Sequence, residues 1–220
     1  MTPFVSLEQQ RHLLGKTHKE LNAPIQEHLL SSLLEYELAK EALVRPASAD
    51  SKHLRSQIES AIAILLEPKM GSPKLNLEDL LGLHRVISDS KEVYRRNLAQ
   101  PLNPAHKPLD PSIILIALRR FFEWVQSPSF GEIHAFEQLT LSQIRLCEIQ
   151  PFQEHSHLTI SLFCLHILLR EGYLMPLYRI EDLGEFSQAL ERGLMFATED
   201  LVRFNAQACE RSYVYALKNL

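Results

Sequence analysis

The sequence predicts an all-α fold, on three observations. Apolar residues recur at helical spacing through most of its 220 residues. Prolines and helix-capping residues fall between the apolar stretches, where they would punctuate helices. Only 7 glycines are present, too few for the turn-rich connections of an all-β protein.

Residues 6 to 20 are polar and weakly patterned, and read as a helix. From Ala23-Pro24 to Leu43, the positions Leu29, Leu30, Leu33, Leu34, Leu38, Ala42 and Leu43 mark a second helix, ended by Arg45-Pro46. After a short polar linker, Leu54, Ile58, Ile62, Leu65 and Leu66 share one stripe that closes at Pro68, Gly71 and Pro73. Asn76 is an N-cap for the next helix, with Leu77, Leu80, Leu81, His84 and Ile87 inward. Residues 89 to 108, with Pro101, Pro104 and Pro108, form an irregular stretch of a length often reserved for function, with room for a short hairpin within 93 to 107.

Asp110-Pro111 pairs an N-cap with proline at the first helical position and opens a very apolar helix through Val125. The run 126 to 131 reads as a turn. A helix over about 133 to 149 follows, then a polar break, then a helix from about Ser156–Leu158 to Glu171, stopped by Gly172. The tail from Asp182 reads as two helices sharing one long stripe, Leu183, Phe186, Leu190, Leu194, Ala197, Leu201 and Phe204. The expected organisation is one compact unit: N-terminal helices over 1–75, a core over 76–180 and C-terminal helices over 181–220.

Composition excludes several functions. A net charge of −4 leaves no basic footprint for nucleic acid. The most apolar segment, LTISLFCLHILL from Leu158, is shorter than the ~20 residues of a membrane span, so no membrane role is expected. Cys147, Cys164 and Cys209 are odd in number and far apart, which suits reduced core cysteines and a cytoplasmic protein better than disulfides or a zinc cluster.

The most informative residues are the polar break itself, Ile149 to Leu158, reading IQPFQEHSHL. A polar loop between two apolar helices sits at one end of a core, and the next helix points its first unpaired N–H groups back at it. The string resembles the signature loop of the Fic (Fic/Doc) family, which reads His-Pro-Phe-x-Asp/Glu-Gly-Asn-Gly-Arg. Pro151, Phe152 and Glu154 match it. Leu80-Leu81-Gly82-Leu83-His84 followed by Val93-Tyr94-Arg95 resembles the family's "LH…yR" segment, and Ser31 to Glu35 resembles its Ser-x-x-x-Glu inhibitory helix. The resemblance covers about residues 27 to 180. It implies a Fic-like helical bundle with at most a small hairpin as the target-positioning flap. It also implies transfer of AMP, or another phosphate-containing group, from a nucleotide to a protein hydroxyl.

The departures bear on that activity. Gln150 stands where the family has its general-base histidine, and an amide takes no proton near neutral pH; losing such a base typically removes ~10²- to 10⁴-fold in rate. His155, Ser156 and His157 replace the Gly-Asn-Gly whose amides would wrap phosphate. Leu158 replaces the arginine that would clamp it. Glu154 remains as a Mg²⁺ ligand, though one carboxylate without phosphates is a weak magnesium site. With Leu158 in the arginine's place, Glu35 has lost its named partner.

The reading is therefore a catalytically degenerate Fic-like protein that binds a protein partner or a ligand and requires no cofactor. In it Pro151, Phe152, Glu154, Ser156 and His157 line the remnant nucleotide site. The alternative is a divergent transferase using ATP and Mg²⁺, with His155 or His157 as substitute base and Arg95 or Arg119 holding phosphate. Commoner roles compete with each assignment: half-exposed loop histidines for His155 and His157, a core residue for His166, solvated helix charges for the Arg95-Arg96 and Arg119-Arg120 doublets.

Overall fold

The computed structural model describes residues 4–44, 51–66, 75–88, 93–99 and 109–220. The described residues are overwhelmingly helical and contain no strand. Residues 93–99 are bends and coil, and the rest of the expected hairpin lies outside the described residues. The helices are α1 (Val5–Leu14), α2 (Ala23–Val44), α3 (Ser51–Leu66), α4 (Leu77–Ile87), α5 (Ile114–Val125), α6 (Pro128–Gly131), α7 (Ala135–Ile149), α8 (Ser156–Arg170), α9 (Leu183–Leu194) and α10 (Glu199–Asn219). By contact they form two compact units, residues 1–48 with 168–220, and residues 49–167.

In the first unit α10 is the organising helix, packed by α1, α2 and α9. Its inward residues Ala208, Cys209, Ser212, Tyr213 and Ala216 have no exposed surface. They also satisfy the irregular segment that follows Gly172. The Tyr213 hydroxyl accepts from Leu174 N–H at 3.2 Å, Ser212 Oγ donates to the Met175 carbonyl at 2.7 Å, and Leu177 N–H donates to the Ala208 carbonyl at 2.9 Å. A buried non-helical strand of chain is tolerated because its polar groups are paired this way.

Three boundaries differ from the sequence reading. The N-terminal helix splits: Gly15 (φ 60) ends α1, and a 3-10 turn, His18–Glu20, follows under a Thr17–Glu20 capping box. Asp110 caps a 3-10 turn, Pro111–Ile113, before α5 starts. The run 126 to 131 contains one helical turn, α6, capped by Ser127. The stripe from Leu183 to Phe204 breaks where Phe196 N–H donates to the Gly193 carbonyl and Ala197 N–H to the Arg192 carbonyl. This is a Schellman motif, and it places Phe196, not glycine, in the left-handed position (φ 70).

In the second unit α3 packs on α4, and α5 on α4, α6 and α7. The Asn76 cap is realised as a capping box with Asp79, and His134 caps α7 with Glu137. α7 and α8 run into and out of the polar break. Because Ile144, Leu146, Ile149, Leu158, Ile160, Leu162 and Phe163 are all buried, the two ends of the break are fixed by core packing.

Candidate functional site

The break begins where α7 stops. Gln150 leaves the helix in the left-handed region (φ 43, ψ 68), with its N–H still donating to the Leu146 carbonyl at 2.8 Å. Pro151 cannot continue the helix, which leaves the last carbonyls of α7 in need of partners.

Arg95 supplies them. It is buried, and its guanidinium donates from Nε to the Gln150 carbonyl (2.6 Å) and from one terminal nitrogen to the carbonyls of Leu109 (2.6 Å) and Ile149 (3.2 Å). The other terminal nitrogen donates to the Asn97 carbonyl (2.8 Å), and Arg95 N–H donates to the Pro151 carbonyl (3.0 Å). One cation thus ties 95–97, Leu109 and the C-terminus of α7 together, where the helix dipole favours positive charge. This corrects the expectation that Arg95 holds phosphate, since four of its five N–H groups already face backbone oxygens. No local sequence signal announces this, because Arg95 lies 55 residues from the Gln150 carbonyl that it caps.

Phe152 turns inward and stacks on His84, with ring centroids 3.7 Å apart and planes 6° from parallel. The Thr159 hydroxyl donates to the His155 carbonyl at 2.9 Å, so at 3.3 Å from His84 Nδ1 its oxygen accepts, and the imidazole proton sits on Nδ1. His84, in the "LH" segment, therefore joins α4 to both ends of the break. Burial pushes its pKa down to about 4, assisted by His155 and opposed by Glu154.

That shift fixes a pH dependence. The unfolded chain protonates His84 near 6.5 and the folded one near 4, so stability is full above the unfolded value and falls as pH drops between the two. The loss should reach about 3 kcal/mol below pH 4. Urea midpoints of wild type and His84→Gln measured from pH 7 to 4 should diverge in slope, the variant being flatter; parallel curves would refute the assignment.

His155 takes a positive φ of 51 at the position where the Fic-type loop has its first glycine. The left-handed turn into α8 is thus kept with a β-carbon in place, whereas Ser156 and His157 are helical. His155, Ser156, His157 and Glu154 are all half-buried. Leu158 has 0% exposure and faces the core. Among the described residues, no group of three or more His, Cys, Asp or Glu converges as a metal site. All three cysteines are buried, and no described helix is long and apolar enough to cross a membrane.

On α2, Ser31 and Glu35 are exposed, while the neighbouring Tyr36 is fully buried and stacks on Tyr178 at 4.8 Å between centroids. Ser32 Oγ donates to the Tyr178 carbonyl at 2.6 Å. Tyr36 and Ser32 thus help hold the helix within its own unit, together with the buried Ile25, Leu29, Leu33 and Leu34.

No family model matches the chain. Among curated proteins it is similar to the protein adenylyltransferase Fic of Drosophila virilis, at 25% identity over 155 residues, covering 67% of this chain and 32% of that one. The chain thus spans about a third of the curated relatives it matches. Among solved structures, Fic-1 of C. elegans (residues 134–508) superposes with a TM-score of 0.77 at 15% identity, covering 99% of this chain and 71% of that one. IbpAFic2 covalently tethered to Cdc42 superposes with a TM-score of 0.58 at 15% identity, covering 94% of this chain and 70% of that one.

Proposed function

We propose that this member of the Fic domain family acts by binding a protein partner, or a ligand in its remnant cleft, and not by transferring AMP. The observation that carries the reading is Leu158. It occupies the position of the phosphate-clamping arginine and is wholly buried, so the loop receives no cation there. Gln150 stands in the place of the general base, and the amide is also buried. A transferase needs both a proton acceptor and fixed positive charge around the phosphates; positions 150 and 158 supply neither. No nucleotide or metal is required by this reading. The neighbour tethered to Cdc42 supports a protein as the class of partner.

The divergent-transferase alternative would use ATP and Mg²⁺ at Glu154, with His155 or His157 as base. Arg95 is unsuited to it, because its donors are bound to carbonyls. Arg119 is exposed and stays open to that role.

Incubating the chain with labelled ATP, Mg²⁺ or Mn²⁺ and cell lysate should give no protein labelling. Gln150→His should give none either, because restoring the base leaves the clamp missing. Labelling by the wild-type chain that disappears in Glu154→Ala would overturn the reading in favour of the transferase.

A further inference from the structure

We infer that the elbow between α9 and α10 is a docking knob, anchored by Phe196, for a partner protein that presents an apolar pocket edged by basic side chains. Two costs meet at this one residue. Phe196 holds φ 70, a left-handed conformation that is unfavourable for any residue with a β-carbon. Its ring is also 85% exposed, with Met195 beside it at 54%.

Neither cost is needed to make the turn. The Schellman bonds, from Phe196 N–H to the Gly193 carbonyl at 2.9 Å and from Ala197 N–H to the Arg192 carbonyl at 3.0 Å, use backbone atoms alone. A glycine at 196 would make them without strain. The core does not need the ring either, since Leu190 before the elbow and Leu201 and Val202 after it are already buried. A large aromatic side chain held in a strained conformation and turned to solvent points to a contact made outside the chain.

The charges around the ring select the occupant. Arg192 and Arg203 are both held by Asp200, at 2.8 and 3.4 Å. Glu191 in the last turn of α9 and Glu199 at the start of α10 are exposed, and neither forms an ion pair among the described residues. The apolar tip is therefore flanked by acids whose charge is free and by cations whose charge is taken. Such a rim is repelled by an anionic membrane surface and by nucleic acid, and it attracts lysine or arginine on a protein. The inference rests on the reading that this chain acts by binding a protein, and it says where and by what chemistry.

Photocrosslinking tests it. The full chain carrying Phe196→p-benzoylphenylalanine is irradiated in lysate of the source cells, and the crosslinked peptide is mapped by mass spectrometry. The adduct should lie in an apolar pocket with lysine or arginine at its edge, and should fall about tenfold or more in a Glu191→Lys/Glu199→Lys background. The partner so identified, once purified, should bind Phe196→Gly about tenfold or more weakly than wild type. In melting curves Phe196→Gly should gain about 2 to 4 °C by relief of the left-handed strain, whereas Phe196→Ala should stay close to wild type. The inference is overturned by the absence of an adduct, by an adduct on a second copy of this chain, by one unmoved by the charge reversal, or by a glycine variant no more stable than wild type. Nucleotide-dependent protein labelling, by contrast, would overturn the reading of the loop and leave the adduct standing.

Discussion

Leu158→Arg, the substitution that would write the family's clamp back into the loop, is expected to destabilise the chain and not to restore an anion site. Leu158 has no exposed surface, and Ile160, Leu162 and Phe163 on other sides of α8 are buried as well. A guanidinium placed there must either leave water unpaired or drag the first turn of α8 out of register. An uncompensated buried charge costs about 3 to 5 kcal/mol, a shift of roughly 10 °C in melting temperature for a domain of this size. Leu158→Met, which keeps volume and polarity, should cost less than about 1.5 kcal/mol. Thermal unfolding by circular dichroism separates the outcomes. If the arginine variant melted within about 2 °C of wild type, its side chain would have found solvent at the loop, the position could host a cation, and the case for a lost clamp would weaken.

The burial of Leu158 was legible in the sequence, because LTISLFCLHILL is apolar on every face and such a helix has nowhere to go but a core. The capped starts at Asn76 and His134 belong to the same class of local signal, although the cap at His134 emerged only from the structure. Elements fixed by conformations that residue type does not advertise were not legible. His155 and Phe196 adopt left-handed backbone angles usually left to glycine, so neither the retained turn into α8 nor the position of the break between the two expected C-terminal helices has a letter that announces it. The break is instructive: apolar spacing continues straight across it, and Phe196 is left 85% exposed. In the Arg95-Arg96 doublet the sequence offers two cations and no period to say which turns inward, since 93–99 is neither helix nor strand. The path of that loop decides it, and it turns Arg95 in and Arg96 out.

That choice makes Arg95 the residue whose loss should be felt most widely. Arg95→Met would keep much of the apolar stem but strand the carbonyls of Asn97, Leu109, Ile149 and Gln150, which the guanidinium now satisfies. Unpaired buried acceptors cost about 1 to 3 kcal/mol each, less where water can reach them, so a total near 4 kcal/mol is expected. Arg95→Lys keeps the charge yet has no planar fork to reach carbonyls on three segments at once, and should recover only part of the loss. Arg96→Ala, one position on and exposed, should change stability by less than about 0.5 kcal/mol. Equilibrium urea unfolding gives these values. Amide hydrogen exchange adds the local readout: in Arg95→Lys the Gln150 amide, bonded to the Leu146 carbonyl, should lose protection by about tenfold or more relative to amides in the middle of α7. The two roles considered for this arginine predict opposite patterns. A phosphate ligand, when removed, would leave stability and exchange intact and weaken nucleotide binding, whereas a clamp, when removed, loosens the end of α7 with no nucleotide present. The second pattern is the one its buried hydrogen bonds require.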